Sequence, residues 1–138
     1  MNSYRLRDLV LGMKDHFKVE VTAEMMAKFL DITGDSNPLH TDTEFARAAG
    51  YQSPVAYGML TASFYSTLVG VHLPGRYVLL HGIDASFVAP VFAGDTLTVH
   101  GEISVVHLEL GLAEMRAYIV NDRGQKVSRA KIRIGVRE

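Results

Sequence analysis

Between Phe17 and Thr22 apolar and polar residues alternate, with Phe17, Val19 and Val21 set against Lys18, Glu20 and Thr22, the period of a short half-buried strand. The period then lengthens. Met26, Phe29, Leu30 and Thr33 fall at i, i+3, i+4 and i+7, which predicts a helix. Thr22 is its expected N-cap, Glu24 sits in the first turn, where the helix dipole favours an anion, and Gly34 stops it. The stretch Gly34-Asp35-Ser36-Asn37-Pro38-Leu39-His40 reads as a loop, in which Pro38 drives Asn37 out of the helical region. Thr41 or Asp42 can cap a short helix from Thr43 to Ala49, ended by Gly50. A further loop through Ser53-Pro54 leads into a helix expected from about Gly58 to His72 and closed by Pro74-Gly75.

Beyond Pro74 the period is two. Leu79, His81, Ile83, Ala85 and Phe87 form one face of a strand, and Leu97, Val99, Gly101, Ile103 and Val105 one face of a second. In a third, Gly111, Ala113, Met115, Ala117 and Ile119 lie opposite Leu110, Leu112, Glu114, Arg116, Tyr118 and Val120. Asn121-Asp122-Arg123-Gly124 is a hairpin signal, and the last strand turns Ala130, Ile132 and Ile134 inward and Arg129, Lys131 and Arg133 outward. One long apolar helix among five strands has the surface to cover the face of the sheet, so the expected class is α+β, an antiparallel sheet curled round a central helix. No repeat, low-complexity tract or linker interrupts the 138 residues, which are read as one domain, 1–138.

The central segment invites one other reading. No charged residue occurs from Ala48 to Gly75, and Val55–Leu73 is nearly long enough to span a bilayer. It carries Thr61, Ser63, Ser66, Thr67 and His72, however, and a helix buried in a domain core is apolar for the same reason, so the buried-helix reading is preferred. The N-terminus is too charged for a secretory signal. A net charge of −1 recommends neither nucleic acid nor an anionic membrane as partner. The absence of cysteine excludes disulfides, thiolate zinc sites and a cysteine nucleophile, and it accords with a reducing cytoplasm.

Two places carry candidate chemistry. Asp35 and His40 lie five apart on the segment held by Asn37-Pro38, and a carboxylate and an imidazole brought together can share and deprotonate one water. The plainer alternative is a turn-capping Asp beside a polar surface His. At Tyr57-Gly58-Met59-Leu60 the uncharged helix begins; its first amides lack intrahelical partners, and Gly58 permits close approach of a carbonyl oxygen, although an ordinary cap would look the same. His81, on the apolar face of its strand, is expected to be a hydrogen-bonded core or interface residue. His100 and His107 have no ligand spacing with any Asp or Glu, so no metal is inferred.

The run Thr33-Gly34-Asp35-Ser36-Asn37-Pro38-Leu39-His40 resembles the hydratase motif of the MaoC-like, (R)-specific enoyl-CoA hydratases. Pro54-Val55-Ala56-Tyr57-Gly58-Met59-Leu60 and Ser86-Phe87-Val88-Ala89-Pro90-Val91-Phe92-Ala93-Gly94-Asp95 are similar to the family's second and third blocks. The resemblance implies a hotdog fold and a hydro-lyase that needs no cofactor, hydrating a 2-enoyl thioester to an (R)-3-hydroxyacyl thioester. It implies Asp35 and His40 as the catalytic pair, Asn37 as the residue holding the loop and the water site, and the Gly58 amide as donor to the thioester oxygen. It also implies a pocket serine, Ser66, with Ser63 as the second choice. Relatives usually have His where this chain has Tyr57, an aromatic large enough to narrow the pocket or move the acyl chain, which puts substrate choice in question.

The substrate would be carried by coenzyme A or an acyl carrier protein, with Arg47, Arg76, Arg129 and Lys131 as candidate phosphate contacts. A homodimer is expected, with Ala89–Gly94 as a candidate wall of the neighbouring subunit's site. Three other readings remain: a dehydratase for a specialised acyl thioester, a non-catalytic acyl-thioester binder, and a thioesterase of the same fold.

Overall fold

The computed structural model describes residues 1–138. Strand β1 (Lys14–Glu20) leads into helix α1 (Ala23–Thr33), and short helices α2 (Pro38–Thr41) and α3 (Thr43–Ala48) follow. Helix α4 (Gly58–Thr67) runs on without a break into a π-helical turn, Leu68–His72. Four strands complete the chain: β2 (Val78–Phe87), β3 (Thr96–His107), β4 (Leu112–Val120) and β5 (Lys126–Val136). The sheet is antiparallel throughout, in the order β1-β3-β4-β5-β2, so β1 and β2 are its edges.

Cross-strand partners share a face, and the register shows why the sheet has an apolar side. Val99 pairs with Ile119 and with Phe17, Met115 pairs with both Ile103 and Ile132, and Ala113 pairs with Ile134. Against this face α4 and the π turn bury Leu60, Thr61, Phe64, Tyr65, Leu68 and Val69. Each fully buried Leu, Ile or Phe contributes about 1.5–3 kcal/mol of transfer free energy. The fit is close where it matters: a Cβ on Gly101 would lie 2.6 Å from Met115 Sδ and 2.8 Å from a Leu68 methyl. Gly101 is therefore the position at which the helix settles onto β3.

Local sequence chemistry sets most boundaries. Thr22 Oγ1 accepts from Met25 N at 3.1 Å, and Gly34 ends α1 in the left-handed region at φ 72°. Of the two caps considered for the following helix, Asp42 is the one used, accepting from Phe45 N at 3.1 Å. The Asn121 side chain holds the β4–β5 turn by accepting from Arg123 N and Gln125 N, each at 3.0 Å.

Several expectations need correction. The loop expected through His40 becomes helical at Pro38, because Asn37 caps the Leu39 amide at 2.9 Å and proline suits the first helical position. The helix expected from Gly58 to His72 as a single α-helix widens to π geometry after Thr67. It is not covered all round either: Met59, Ser63 and Ser66 are exposed on the side away from the sheet. On β2 the inner face is Leu80, Ile83, Ala85 and Phe87, opposite Ile134, Ile132, Ala130 and Ser128. A register shift between Leu80 and Gly82 leaves His81 in a bulge, which advances the alternation by one residue. Leu79 consequently pairs with Gly135 on the outer face, and His81 is exposed beside Gly135, which overturns the core half of its core-or-interface expectation. A second shift, between Ile103 and Val105, likewise ends the predicted alternation of β3. No helix is long and apolar enough to cross a membrane.

Candidate active site

The chain from the end of α1 to α2 holds itself by short-range bonds. Thr33 Oγ1 donates to Phe29 O at 2.9 Å and accepts from Asp35 N at 3.2 Å. Asp35 Oδ1 accepts from Asn37 N at 3.2 Å, and Asn37 Oδ1 accepts from Leu39 N. Asn37 thus fixes the turn on both sides of Pro38, while the second carboxylate oxygen of the exposed Asp35 has no protein partner.

His40, on α2, lies across from the strand-like segment that precedes α4. Its Nδ1 is 2.6 Å from Val55 O, and Val55 N donates to Leu39 O at 3.0 Å. A carbonyl oxygen only accepts, so Nδ1 carries the proton and Nε2 is the basic nitrogen of the neutral ring. Tyr57 packs on His40 with ring centroids 4.2 Å apart and on Phe29 at 4.9 Å. Its hydroxyl donates to the backbone carbonyl of Asp35 at 2.8 Å. Burial, and secondarily the Asp35 charge, pushes the Tyr57 hydroxyl above its ordinary pKa of 10.0, so it stays a donor.

Helix α4 starts immediately after Tyr57. No side chain caps it, and the first intrahelical bond is Thr61 N to Tyr57 O, so the amides at Gly58, Met59 and Leu60 lack helical acceptors. Two cavities meet here. One, of about 370 Å³, is lined by Phe29, Thr33, Asp35, His40, Tyr57 and Gly58, among others. The other, of about 390 Å³, is mainly apolar and lies along Val55, Ala56, Thr61, Val88, Pro90 and Val127. His40, Gly58 and Phe87 belong to both. The Phe87 ring carbons stand 3.5 Å from where a Gly58 Cβ would be, so the phenyl ring forms the partition. A carboxylate, an imidazole, a helix N-terminus with no side-chain cap and an apolar chamber therefore share one hollow.

The MaoC like domain matches residues 11–127. The chain belongs to the MaoC-like family. It is 33% identical over 118 residues to the (R)-specific enoyl-CoA hydratase of Aeromonas caviae, covering 86% of this chain and 88% of that one. A 3-hydroxybutyryl-CoA dehydratase of Methylorubrum extorquens is 33% identical over 97 residues, 70% of this chain and 62% of its own length. Among solved structures, an (R)-hydratase of A. caviae involved in PHA biosynthesis superposes with a TM-score of 0.90 at 30% identity, covering 94% of this chain and 98% of that one. The MaoC-like fold is the hotdog fold, and the curled five-strand sheet over α4 is this chain's version of it.

Within the MaoC-like frame, Asp35, His40, Tyr57 and Gly58 come together at one cavity, and Asn37 braces the turn between the first two. Ser66 does not join them. It is exposed two turns along α4 and lines neither cavity, and Ser63, also exposed, donates to Leu60 O at 2.6 Å. Of the segment Ala89–Gly94, Ala89, Pro90 and Val91 line this chain's own apolar cavity. Of the candidate phosphate contacts, Lys131 is 3.7 Å from Glu114, Arg47 Nε donates to Gln52 O, and Arg76 and Arg129 are exposed.

From the sequence neither Phe87 nor Thr61 is expected at the site. Thr61 lies one turn after Gly58, and that spacing was the available signal. Phe87 falls on the inner face of its strand by alternation, but nothing in the sequence marks it as a neighbour of Gly58.

Proposed function

We propose that this protein adds water reversibly to a 2-enoyl thioester, giving the (R)-3-hydroxyacyl thioester. The observation that carries the reading is that Asp35, His40 and the uncapped start of α4 at Gly58 line the same cavity. In the proposed reaction the thioester oxygen accepts a hydrogen bond from the Gly58 amide. There the helix dipole stabilises the enolate charge that develops on that oxygen. One water is held between the Asp35 carboxylate and His40 Nε2. Its hydroxide adds to Cβ and the proton it gives up is returned to Cα from the same side, so addition is syn. Dehydration is the same path reversed. The chamber along Val55, Ala56, Val88 and Pro90 suits the acyl chain.

The carrier is proposed to be coenzyme A or an acyl carrier protein, in line with the relatives' activities, and a cytoplasmic setting is proposed on the cysteine-free sequence. A homodimer is part of the proposal. It is supported by the free edge of β2, by Leu80, Ile83 and Phe87 at 41%, 36% and 48% exposure on that strand's inner face, and by Met59 at 66%.

The test is spectrophotometric hydration of enoyl thioesters of increasing chain length. Asp35→Asn and His40→Ala should each lower turnover by about a hundredfold or more, the usual loss for a general acid–base group. Both side chains are outside the core, so both variants should fold, Asp35→Asn with its melting temperature held and His40→Ala with a modest loss from its bond to Val55 O. Near-normal turnover in either variant removes that residue from the pair.

A further inference from the structure

We infer that Tyr57 is the positioning residue of this site, its hydroxyl tethering the Asp35 loop while its ring fixes His40, and that acyl selection is not its task; this rests on the hydratase reading above. Every residue from Asp31 to Pro38 is exposed, and α1, which carries that loop, buries no residue completely. The bonds that shape the turn at Asp35 run within positions 29 to 39 and hold its form without anchoring it to the core. The tether from the core to Asp35 itself is the Tyr57 hydroxyl at 2.8 Å, reaching across 22 positions of sequence. Tyr57 is 2% exposed, its ring lies on His40 at 4.2 Å and on Phe29 at 4.9 Å, and its carbonyl accepts the first helical bond of α4. One buried side chain therefore touches both members of the proposed catalytic pair and is joined by a peptide bond to the proposed oxyanion residue.

A side chain that selected the acyl group would face the apolar chamber. Tyr57 does not line that cavity, which is bounded instead by Val55, Ala56, Thr61, Phe87 and Pro90, among others. The phenol is turned under the loop. Its role is then geometric, and a displacement of about 1 Å in a reacting group can cost up to a hundredfold in rate without weakening binding.

The experiment is a double-mutant cycle with an exchange measurement. Tyr57→Phe keeps the ring on His40 and removes the tether. Its kcat should fall by about tenfold, with KM within about twofold and the order of preference among short, long and branched enoyl thioesters unchanged. In an Asp35→Asn background the same change should cost less than about twofold, because there is no longer a carboxylate to position. Hydrogen–deuterium exchange reports independently of turnover: amides of residues 35–40 should exchange faster in Tyr57→Phe, while β3, β4 and β5 keep native protection. Tyr57→His, which retains a ring but offers no phenol hydroxyl to Asp35 O, should reproduce the exchange result. Additive losses in the cycle, an altered acyl profile with kcat intact, or native exchange at 35–40 in both variants would each overturn the inference. A native protein inactive on every enoyl thioester would refute the hydratase reading, and the exchange measurement would still decide the tether.

Discussion

Replacing Gly58 with alanine should separate catalysis from folding. Gly58 opens α4 without a positive φ, so alanine takes up its backbone conformation unstrained. The new Cβ would stand 3.5 Å from three ring carbons of Phe87, an ordinary contact, so the methyl group fits. Alanine is favoured over glycine in a helix by up to about 1 kcal/mol. For a domain of this size that places the melting temperature level with the native protein or up to about 4 °C above it. The same methyl group occupies the junction of the two cavities, between the Phe87 ring and the amide the thioester oxygen must reach. Loss of one oxyanion donor typically costs a factor of about 10² to 10³ in turnover, or about 2.7–4 kcal/mol of transition-state stabilisation. The assay is the initial rate of loss of enoyl-thioester absorbance at saturating and at limiting substrate, run beside a thermal melt. A Gly58→Ala protein within about threefold of native turnover would refute the oxyanion assignment. A melting temperature lowered by several degrees would refute the argument from the glycine's surroundings.

Three further outcomes follow from particular contacts. Tyr65 donates to Ser128 Oγ at 2.9 Å, and Ser128 in turn donates to Ser86 O at 2.9 Å, so Ser128→Ala strands a buried hydroxyl. Denaturant titration should show a loss of about 1–3 kcal/mol, part of which Tyr65→Phe restores in the double variant. His100 is stacked between His16 and Tyr118 on the outer face of the sheet, with Lys14, Glu102 and Arg116 around it. Burial, and then the neighbouring His16, holds its pKa below the ordinary 6.5. The folded state thus binds fewer protons than the unfolded one, and the stability this group contributes above pH 6.5 is lost as the pH falls below that value. Urea midpoints at about pH 7.5 and about pH 5.5 should differ less in His100→Gln than in the native protein. Ile83→Asp, placed at a site 36% exposed in the isolated chain, should leave the fold intact and shift sedimentation equilibrium from dimer towards monomer; a native monomer with full activity would refute the dimer.

The sequence alone determined the order of the strands and longer helices, since these rest on local rules, but not the helical turn at Pro38 or the π-helical end of α4. Period two separated Ala113, Met115, Ala117 and Ile119 from their outward neighbours. A threonine cap and a left-handed glycine bounded α1, and Asn121 to Gly124 made the last hairpin. It also singled out Asp35 and His40 as candidates, through the resemblance of their turn to the hydratase motif, and that turn is legible because its bonds span only a few residues. Where an extra residue entered a strand, as at His81, alternation could not reveal it, because a bulge is a compromise with the partner strand's register and leaves no mark in period. The exposed side of α4 was hidden for a related reason: an uncharged helix reads as buried on all sides, and only the packing of the sheet tells which side is covered. Tertiary structure alone brought Tyr57 under Asp35 across 22 positions and set Phe87 against Gly58. Both contacts join elements distant in sequence, through side chains whose hydrophobicity predicts burial but not the neighbour they meet.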